Sequence, residues 1–468
     1  HICSNKNDTF FSGDTCQTIA SGVGFRFEDL KVLFRAEQET ERLQAEATSS
    51  HVPHPVAIPR VRNLQLNYRT HNGILSAAAG IVDLIECFFP GSIDILPRER
   101  GFFDGPKPLL LKQTNVDDAA VLIVGSDKKH SQIEFGAHQC ILVRNQEAKM
   151  RLPEDFGGCL AMTIVEAKGL EFQDVFLWNF ITDSRAEHEW RLVLGYLLQD
   201  DNDDTELNAI EEERVKVQNK DVAGMLRTLD FSEHEHQIFC EELKHLYTAI
   251  TRARVRVIVY DEDVRKRAPI FHYLQRRDLV QTLAFFTADS YVPMAVQSGV
   301  DEWRTQGKNL RDNGLYQLAA NCFRQSGDRD LELESYALHL SCRKAAELEG
   351  KERRMCFFEA GEKFLNVRQG VKAARCFYEA GEFDLAGKTF MTCTKGAKAD
   401  KEEGLVRDAI RCFRKGGKVL KALDLLVKLG KLKTALRLLK DDHKYLKAIE
   451  VLENNPSFTP PADLSVDI

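Results

Sequence analysis

The sequence lacks any hydrophobic run long enough to cross a membrane, and its first residues do not form a secretory signal. Its 12 cysteines include no Cys-x-x-Cys pair, which argues against a zinc or disulfide framework. Several occupy apolar helical positions, as Cys322 and Cys376 do. We therefore expect reduced core cysteines in an intracellular protein of the nucleus or cytoplasm, with no metal site and no membrane partner.

The sequence also lacks the phosphate-binding loop Gly-x-x-x-x-Gly-Lys-Ser/Thr, and no magnesium-binding Asp-Glu pair precedes Gln17. Residues 381–389 resemble that loop but have five residues between the glycines instead of four. They lie within a helical repeat, where glycines are better explained by helix ends. Because the chain begins at His1, we expect it to be part of a longer protein.

Charge is distributed unevenly along the 468 residues, which carry a net charge of −7. Residues 200–213 contain eight acidic and no basic side chains, a pattern typical of a solvated loop. Residues 401–450 contain 14 Lys and Arg against 7 Asp and Glu, a balance of +7. This basic stretch could serve nucleic acid or an acidic partner, but solvated helix faces are the favoured explanation.

Residues 241–254 predict an apolar helical face that ends in a basic turn containing Arg252, and residues 255–260 predict a buried strand. An arginine at such a turn lies at the mouth of an α/β sheet, where an anion would bind. Its guanidinium could neutralise charge on a transferring phosphoryl group. A solvated basic helix end is the alternative.

Periodicity and short apolar runs predict further elements. A strand end is predicted at residues 9–12, helices at 72–89 and 263–286, and strands at 109–111, 121–124, 140–143 and 174–180.

Three more segments precede that basic turn: Gly-Asp-Thr-Cys-Gln-Thr-Ile at residues 13–19, Asn-Tyr-Arg-Thr at 67–70 and Lys-Gly-Leu-Glu-Phe at 168–172. With residues 247–253 they resemble, in order, motifs III to VI of superfamily 1 helicases of the UvrD/Rep type. The resemblance covers about the first 260 residues. In contrast to most such enzymes, the segment between motifs IV and V leaves no room for a large inserted subdomain.

The resemblance implies a nucleotide cleft between two RecA-like domains. Gln17 and Arg69 would contact the γ-phosphate of ATP, Glu171 would contact the sugar from the turn that contains Gly169, and Arg252 would stabilise the transition state. Gln17, Arg69 and Arg252 are thus the implied catalytic residues. ATP and Mg²⁺ are the implied cofactors, with the magnesium ligands in a missing N-terminal part.

The same resemblance implies contacts with single-stranded nucleic acid, DNA being favoured, from Phe25, Arg26 and Thr163. An aromatic ring can stack on any base, which suits movement that is independent of sequence. Core packing is the alternative explanation of Phe25. Val165 stands where relatives have a histidine that contacts nucleic acid, so this part of the pattern is incomplete.

The second half of the chain contains four copies of the pattern Cys-Phe-x-x-x-Gly, which begin at Cys322, Cys356, Cys376 and Cys412. The spacings 356 − 322 = 34 and 412 − 376 = 36 residues match helix-turn-helix repeats of the tetratricopeptide (TPR) size. The glycine is predicted to end the first helix of each pair. The aromatic residue before it is predicted to pack on the next helix.

The predicted fold class is an α/β RecA-like helicase domain of the P-loop NTPase type, followed by an all-α region of TPR-like helical repeats. The motifs and repeats together resemble the TPR and ankyrin repeat-containing proteins and their fungal UvrD-like relatives. The predicted domains are residues 1–62 (remnant of a first RecA-like domain), 63–262 (second RecA-like domain), 263–298 (helical linker), 299–455 (repeats) and 456–468 (disordered tail).

The implied function is that of the C-terminal part of a UvrD-like helicase or translocase, an ATP hydrolase that moves along single-stranded nucleic acid. Because the phosphate-binding loop is missing, we expect the chain alone to be inactive. The alternative is a degenerate helicase-fold scaffold whose helical repeats bind a protein partner.

Overall fold

The computed structural model describes residues 10–20, 24–47, 60–95, 97–112, 136–156, 159–200, 229–283, 298–395, 399–441 and 443–459. The chain divides into two compact units, His1–Ser298 and Gly299–Ile468. No helix among the described residues is both long enough and apolar enough to span a lipid bilayer.

The first unit combines helices with short strands. The described helices are α1 (Phe27–Ala47), α2 (Asn72–Phe88), α3 (Gln146–Met150), α4 (Leu192–Asp200), α5 (Gln237–Ile250) and α6 (Val264–Arg276). The strands are β1 (Leu66–Asn67), β2 (Arg100–Gly101), β3 (Leu109–Leu111), β4 (Gln139–Val143), β5 (Ala161–Thr163), β6 (Phe172–Trp178), β7 (Ala253–Tyr260) and β8 (Gln281–Leu283).

Six of these strands form one parallel sheet in the order β5-β4-β6-β7-β3-β8, while β1 and β2 pair separately. All five residues of β4 and all three of β5 are buried, as expected for parallel strands that are covered on both faces. In β6 and β7 the register places Asp174 opposite Arg256. These two side chains form a bidentate ion pair with both N–O distances at 2.7 Å.

Helix α2 forms where the sequence repeats apolar residues at helical spacing. Ile74, Ala78, Ile81 and Ile85 all become buried, so one face of the helix lies in the core. Helix α5 packs against α2 and ends directly before β7, since Thr251 is its C-terminal cap and β7 begins at Ala253. The basic turn of residues 251–254 therefore connects a core helix to a central strand.

The second unit is entirely helical in its described residues. Its α-helices are α7 (Val300–Asp312), α8 (Tyr316–Gln325), α9 (Arg329–Cys342), α10 (Gly350–Asn366), α11 (Gly370–Ala380), α12 (Phe383–Thr394), α13 (Ala399–Lys415), α14 (Val419–Lys428), α15 (Leu432–Asp441) and α16 (Tyr445–Glu453). Each packs against its neighbours in sequence, and α9 to α16 share one continuous core.

Close contacts between a glycine and a phenylalanine set the helix spacing in this unit. A Cβ atom added at Gly307, Gly361 or Gly387 would lie 2.8, 2.6 or 2.6 Å from a ring atom of Phe323, Phe377 or Phe413. Each ring belongs to the helix that follows the glycine. The absence of a side chain on the first helix therefore allows the second to approach closely.

One repeat prediction needs correction, and one contact was not predicted. The rings of Phe323, Phe377 and Phe413 lie against a glycine of the preceding helix, which the sequence did not indicate. Contact with the next helix, as predicted, is seen in two copies: Tyr378 meets Phe383 at 5.3 Å, and Nζ of Lys421 lies 5.4 Å from the Phe413 ring centroid. Gly361 does not end a helix but lies inside α10, where Phe377 occupies the space beside it. The equivalent glycines of the other three copies, Gly327, Gly381 and Gly417, have positive φ angles of 75°, 88° and 71° and follow helices, as predicted.

Several other element predictions can be compared with the structure. Helix 72–89 and the strands at 109–111, 140–143, 174–180 and 255–260 are confirmed to within two residues at each end. The helix predicted over 263–286 ends at Arg276, and β8 follows it. The described residues 10–12 contain no strand. Residues 121–124 and 201–213 lie outside the described residues.

The predicted fold class is wrong. The described residues are mostly helical, the strands of the sheet contain only 3 to 8 residues, and nothing in this part of the chain identifies a RecA-like helicase domain. The physical reason is that the four motifs specify turns at strand and helix ends. Such turns are compatible with many folds that contain a parallel sheet, so they do not determine the domain.

Candidate functional site

The structure brings together four of the residues that the sequence singled out, in two adjacent polar contacts. Gln17 is hydrogen-bonded to Arg252, and Arg69 forms an ion pair with Glu171. In each pair the partners come from segments far apart in the chain. We call these four side chains the polar cluster.

Arg252 is the buried member of the polar cluster, with only 2% of its surface exposed. Its Nε–H donates to the carbonyl oxygen of Thr248 at 3.1 Å, and Nη1 donates to that of Leu170 at 3.1 Å. Nη2 donates to Oε1 of Gln17 at 2.9 Å. Burial, followed by the nearby positive charge of Arg69, lowers the pKa of the Arg252 guanidinium. In this arrangement Arg252 ties three segments of the first unit together.

Gln17 is held from its other side by Asp14. The Gln17 amide Nε2 donates to Oδ2 of Asp14 at 2.9 Å, and the Tyr247 hydroxyl donates to the same oxygen at 2.9 Å. Burial and the Asp14 charge raise the pKa of Tyr247, so the phenol keeps its proton and acts as a donor. A chain of hydrogen bonds thus runs from Tyr247 through Asp14 and Gln17 to Arg252.

Arg69 is the accessible member of the polar cluster. Its Nε lies 2.6 Å from Oε1 of Glu171, and the two side chains are 40% and 35% exposed. The Asn67 side chain fixes the local turn, because Oδ1 accepts from the backbone N–H groups of Arg69 at 2.8 Å and Thr70 at 3.1 Å. The Thr70 hydroxyl donates to the carbonyl oxygen of Arg254 at 2.9 Å. Segment 67–70 is therefore tethered to the turn that contains Arg252.

Thr163 is the last residue of β5, and Gly169 lies in the turn that follows this strand. The Thr163 N–H donates to Oε2 of Glu166 at 2.8 Å, and the Glu166 N–H donates to the Thr163 hydroxyl at 3.2 Å. Burial alone would raise the pKa of Glu166, but Lys149, the Thr163 N–H and Gln146 together lower it. Gly169 has a φ of 86°, which favours glycine at this position.

Phe25 and Arg26 make local contacts. The Phe25 ring meets that of Phe27 edge-on at 5.2 Å, and Phe25 is exposed. Arg26 pairs with Asp29 at 2.8 Å in the first turn of α1. The predicted contact of Phe25, Arg26 and Thr163 with nucleic acid stays a prediction.

Sequence reasoning missed a buried polar group that lies elsewhere in the first unit. Arg144 forms a bidentate pair with Glu242, and the Ser184 hydroxyl donates to Oε2 of Glu242 at 2.8 Å. The Trp190 indole N–H donates to that hydroxyl at 3.0 Å. Glu242 lies on the helical face that the sequence identified as apolar, and no motif indicated its partner.

The second unit contains an open groove of about 540 Å³ formed by α13, the start of α14 and α15. Its lining residues are Arg407, Ile410, Arg411, Arg414, Lys415, Val419, Leu438 and Asp441. We call it the basic groove. It lies in the stretch 401–450 that the sequence marked as basic.

Comparison with known proteins finds a relative that is a repeat protein. No family model matches the chain, and no solved structure matches it. The chain is 36% identical over 439 residues to a protein of Homo sapiens named TPR and ankyrin repeat-containing protein 1. That alignment covers 91% of the chain but only 14% of the human protein.

This comparison corrects the functional prediction. The identification as a UvrD/Rep-like superfamily 1 helicase is wrong, because the relative is named for its repeats and no helicase family is found. The predicted helicase function, the ATP hydrolase activity and the assignment to ATP-binding enzymes are wrong for the same reason. The predicted roles of Gln17, Arg69, Glu171 and Arg252 at a nucleotide stay untested predictions. ATP and Mg²⁺ as bound ligands stay untested predictions.

Proposed function

We propose that the helical unit Gly299–Ile468 is a scaffold that binds a protein partner. The observation that carries this proposal is the 36% identity to a protein named for TPR and ankyrin repeats. Stacked helical repeats form extended surfaces that commonly bind other proteins. The whole relative is much longer than this chain, so the proposal concerns only the unit described above.

The packing of the helices supports the proposal. Consecutive helices bury one face in a shared core, while the opposite faces remain available to solvent. In α14, Ala422, Leu423 and Leu426 are buried, whereas Leu420 and Lys421 are exposed. A surface of this kind keeps its shape when a partner binds, because the core fixes the helix spacing.

The proposal can be tested with the full chain. We would capture proteins from a cell extract, purify each candidate, and measure its affinity for the chain by isothermal titration calorimetry. Hydrogen exchange would then locate the bound surface. We expect at least one purified protein to bind with micromolar affinity or better and to slow exchange within residues 300–453.

A matched pair of substitutions completes the test. Glutamate introduced at an exposed position inside the protected surface should weaken binding, while glutamate at an exposed position of the same unit outside it should not. If no purified protein binds, or if protection occurs only within residues 10–283, the scaffold assignment is wrong.

A further inference from the structure

The basic groove has an apolar floor and a basic wall. Ile410, Val419 and Leu438 supply aliphatic side chains that are almost fully buried. Arg407, Arg411 and Arg414 are exposed and recur at i, i+4 and i+7 of α13. Side chains at this spacing share one helix face, and their Cα atoms span roughly 10 Å along the axis.

The arginines are available to a ligand because the ion pairs that they form within the protein are weak. Arg407 pairs with Glu403 at 2.7 Å and Arg411 with Asp408 at 3.7 Å, and all four side chains are well exposed. Exposed ion pairs of this kind contribute about 0–1 kcal/mol, so a ligand carboxylate can replace them at little cost. Among the described residues, no ion-pair partner of Arg414 is seen.

Lys415 is held differently from the arginines. Its Nζ lies 4.5 Å from the ring centroid of Tyr378 and 5.0 Å from that of Phe383. These cation–π contacts fix the ammonium group at the end of the arginine row without neutralising its charge. The groove therefore presents four cations against one carboxylate among its lining residues, that of Asp441.

The charge of the whole chain makes this region distinctive. The net charge is −7, and residues 401–450 contribute +7, so the remaining residues carry −7 − 7 = −14. An acidic partner would be repelled by most of the chain and attracted to this stretch. Such a contrast steers association toward one surface.

The floor of the groove favours a peptide over a nucleic acid. Proteins that bind single-stranded nucleic acid place aromatic rings under the bases, and none of the described residues that line this groove is aromatic. Three aliphatic side chains instead form a surface that suits a leucine, an isoleucine or a methionine. The planar guanidinium groups of the arginines can bind a carboxylate with two parallel hydrogen bonds.

We propose that the basic groove binds an acidic amphipathic peptide segment of the partner protein. One aliphatic side chain of the segment packs against Ile410, Val419 and Leu438, and flanking carboxylates meet Arg407, Arg411 and Arg414. This inference rests on the proposed scaffold function and adds the chemistry of the partner and its place on the unit.

The test uses the full chain and a short fluorescent peptide in which glutamates and aspartates flank a single leucine. Fluorescence anisotropy would measure its affinity. We expect the double substitution Arg411→Gln and Arg414→Gln to weaken binding by about tenfold or more, since charge-assisted contacts are lost. The double substitution Lys428→Gln and Lys433→Gln is the control, because it removes equal charge from exposed positions that do not line the groove.

Two further probes determine what the groove recognises. A peptide with serine in place of leucine should bind several-fold more weakly, because the apolar contact is lost. An oligothymidylate of similar length should bind more weakly than the acidic peptide. Circular dichroism and the thermal midpoint would show that each variant is folded.

Three results would overturn the inference. The first is equal loss of affinity in the arginine and lysine variants, which would indicate attraction by charge alone. The second is binding of the oligothymidylate, but not of the peptide, with dependence on Arg411 and Arg414. The third is no binding of the peptide while a purified protein still protects other helices of the unit. In that third case the scaffold function stands and only the assignment of the groove fails.

Discussion

Substitution of Gly361 by alanine tests the glycine–phenylalanine packing that sets the helix spacing of the second unit. The added Cβ would lie 2.6, 2.8 and 3.0 Å from three ring atoms of Phe377. That ring is only 1% exposed, so it has no free space into which to move. Overpacking of this kind typically costs about 1–3 kcal/mol.

Helix propensity acts in the opposite direction and must be separated from the clash. Gly361 lies within α10, where alanine is favoured over glycine by about 1 kcal/mol. Gly404 lies within α13, and an added Cβ there meets nothing within 4 Å. Gly404→Ala should therefore stabilise the unit by about 1 kcal/mol, and it serves as the matched control.

The expected result is a difference of roughly 1–3 kcal/mol between the two variants, with Gly361→Ala the less stable. Hydrogen exchange measured on peptides from α10 and α11 for Gly361→Ala, and from α13 for Gly404→Ala, gives the local free energy of opening. This avoids the assumption that the two units unfold in one step. In a Phe377→Leu background, where fewer ring atoms oppose the new methyl group, the cost of Gly361→Ala should fall.

The reasoning fails if Gly361→Ala stabilises the protein as much as Gly404→Ala does. It also fails if Phe377→Leu leaves the cost of Gly361→Ala unchanged, because the clash would then lie elsewhere.

Three further predictions concern the first unit, and each can be measured by urea unfolding that is followed by a probe in that unit. Arg252→Lys should lower the free energy of unfolding by about 2–4 kcal/mol, since a buried guanidinium with several acceptors is lost. Arg69→Lys is the control, because the exposed ion pair of Arg69 contributes about 0–1 kcal/mol. A smaller loss for Arg252→Lys than for Arg69→Lys would contradict the structure. Thr70→Val should cost about 1 kcal/mol because the hydroxyl of the buried Thr70 donates to the carbonyl oxygen of Arg254, and Thr70→Ser should recover most of it; equal losses would exclude the hydrogen bond. Burial raises the pKa of Asp261 from its usual 3.8 to about 7. Between pH 3.8 and pH 7 the unfolded chain therefore loses the Asp261 proton, whereas the folded chain retains it. As the pH rises through this range, this group lowers the free energy of unfolding. The stability of Asp261→Asn relative to the native chain should therefore increase between pH 4 and pH 7, by up to about 1.4 kcal/mol per pH unit, and a flat difference would contradict the raised pKa.

Periodicity predicted the local elements well because it reflects burial on one face. The apolar spacing in residues 72–88 and the continuous apolar run before Tyr260 correspond to α2 and β7. Glycines with positive φ, such as Gly381, were also predictable, because few other residues adopt that conformation at a helix end. These signals are local in sequence, and so they can be read without knowing the fold.

Packing between helices could not be predicted in the same way. The pattern Cys-Phe-x-x-x-Gly makes Phe377 and Gly381 conspicuous, but the decisive contact is that between Phe377 and Gly361. Which neighbour a buried ring meets depends on how two helices approach, and the pattern on one helix does not contain that information. The buried pair of Arg144 and Glu242 shows the same limit, since 98 residues separate its members and neither lies in a motif.

Arg252 shows why a short motif did not determine the function. An arginine next to a sheet can bind an external anion or satisfy internal carbonyl oxygens, and both roles require the same residue type at the same turn. The contacts of Arg252 with Thr248, Leu170 and Gln17 occupy Nε, Nη1 and Nη2, and the side chain is almost completely buried. Arg69, which remains partly exposed, is the member of the polar cluster that an added anion could reach without unfolding. Burial and hydrogen-bond partners, which the sequence does not reveal, therefore distinguish a structural arginine from one available to a ligand.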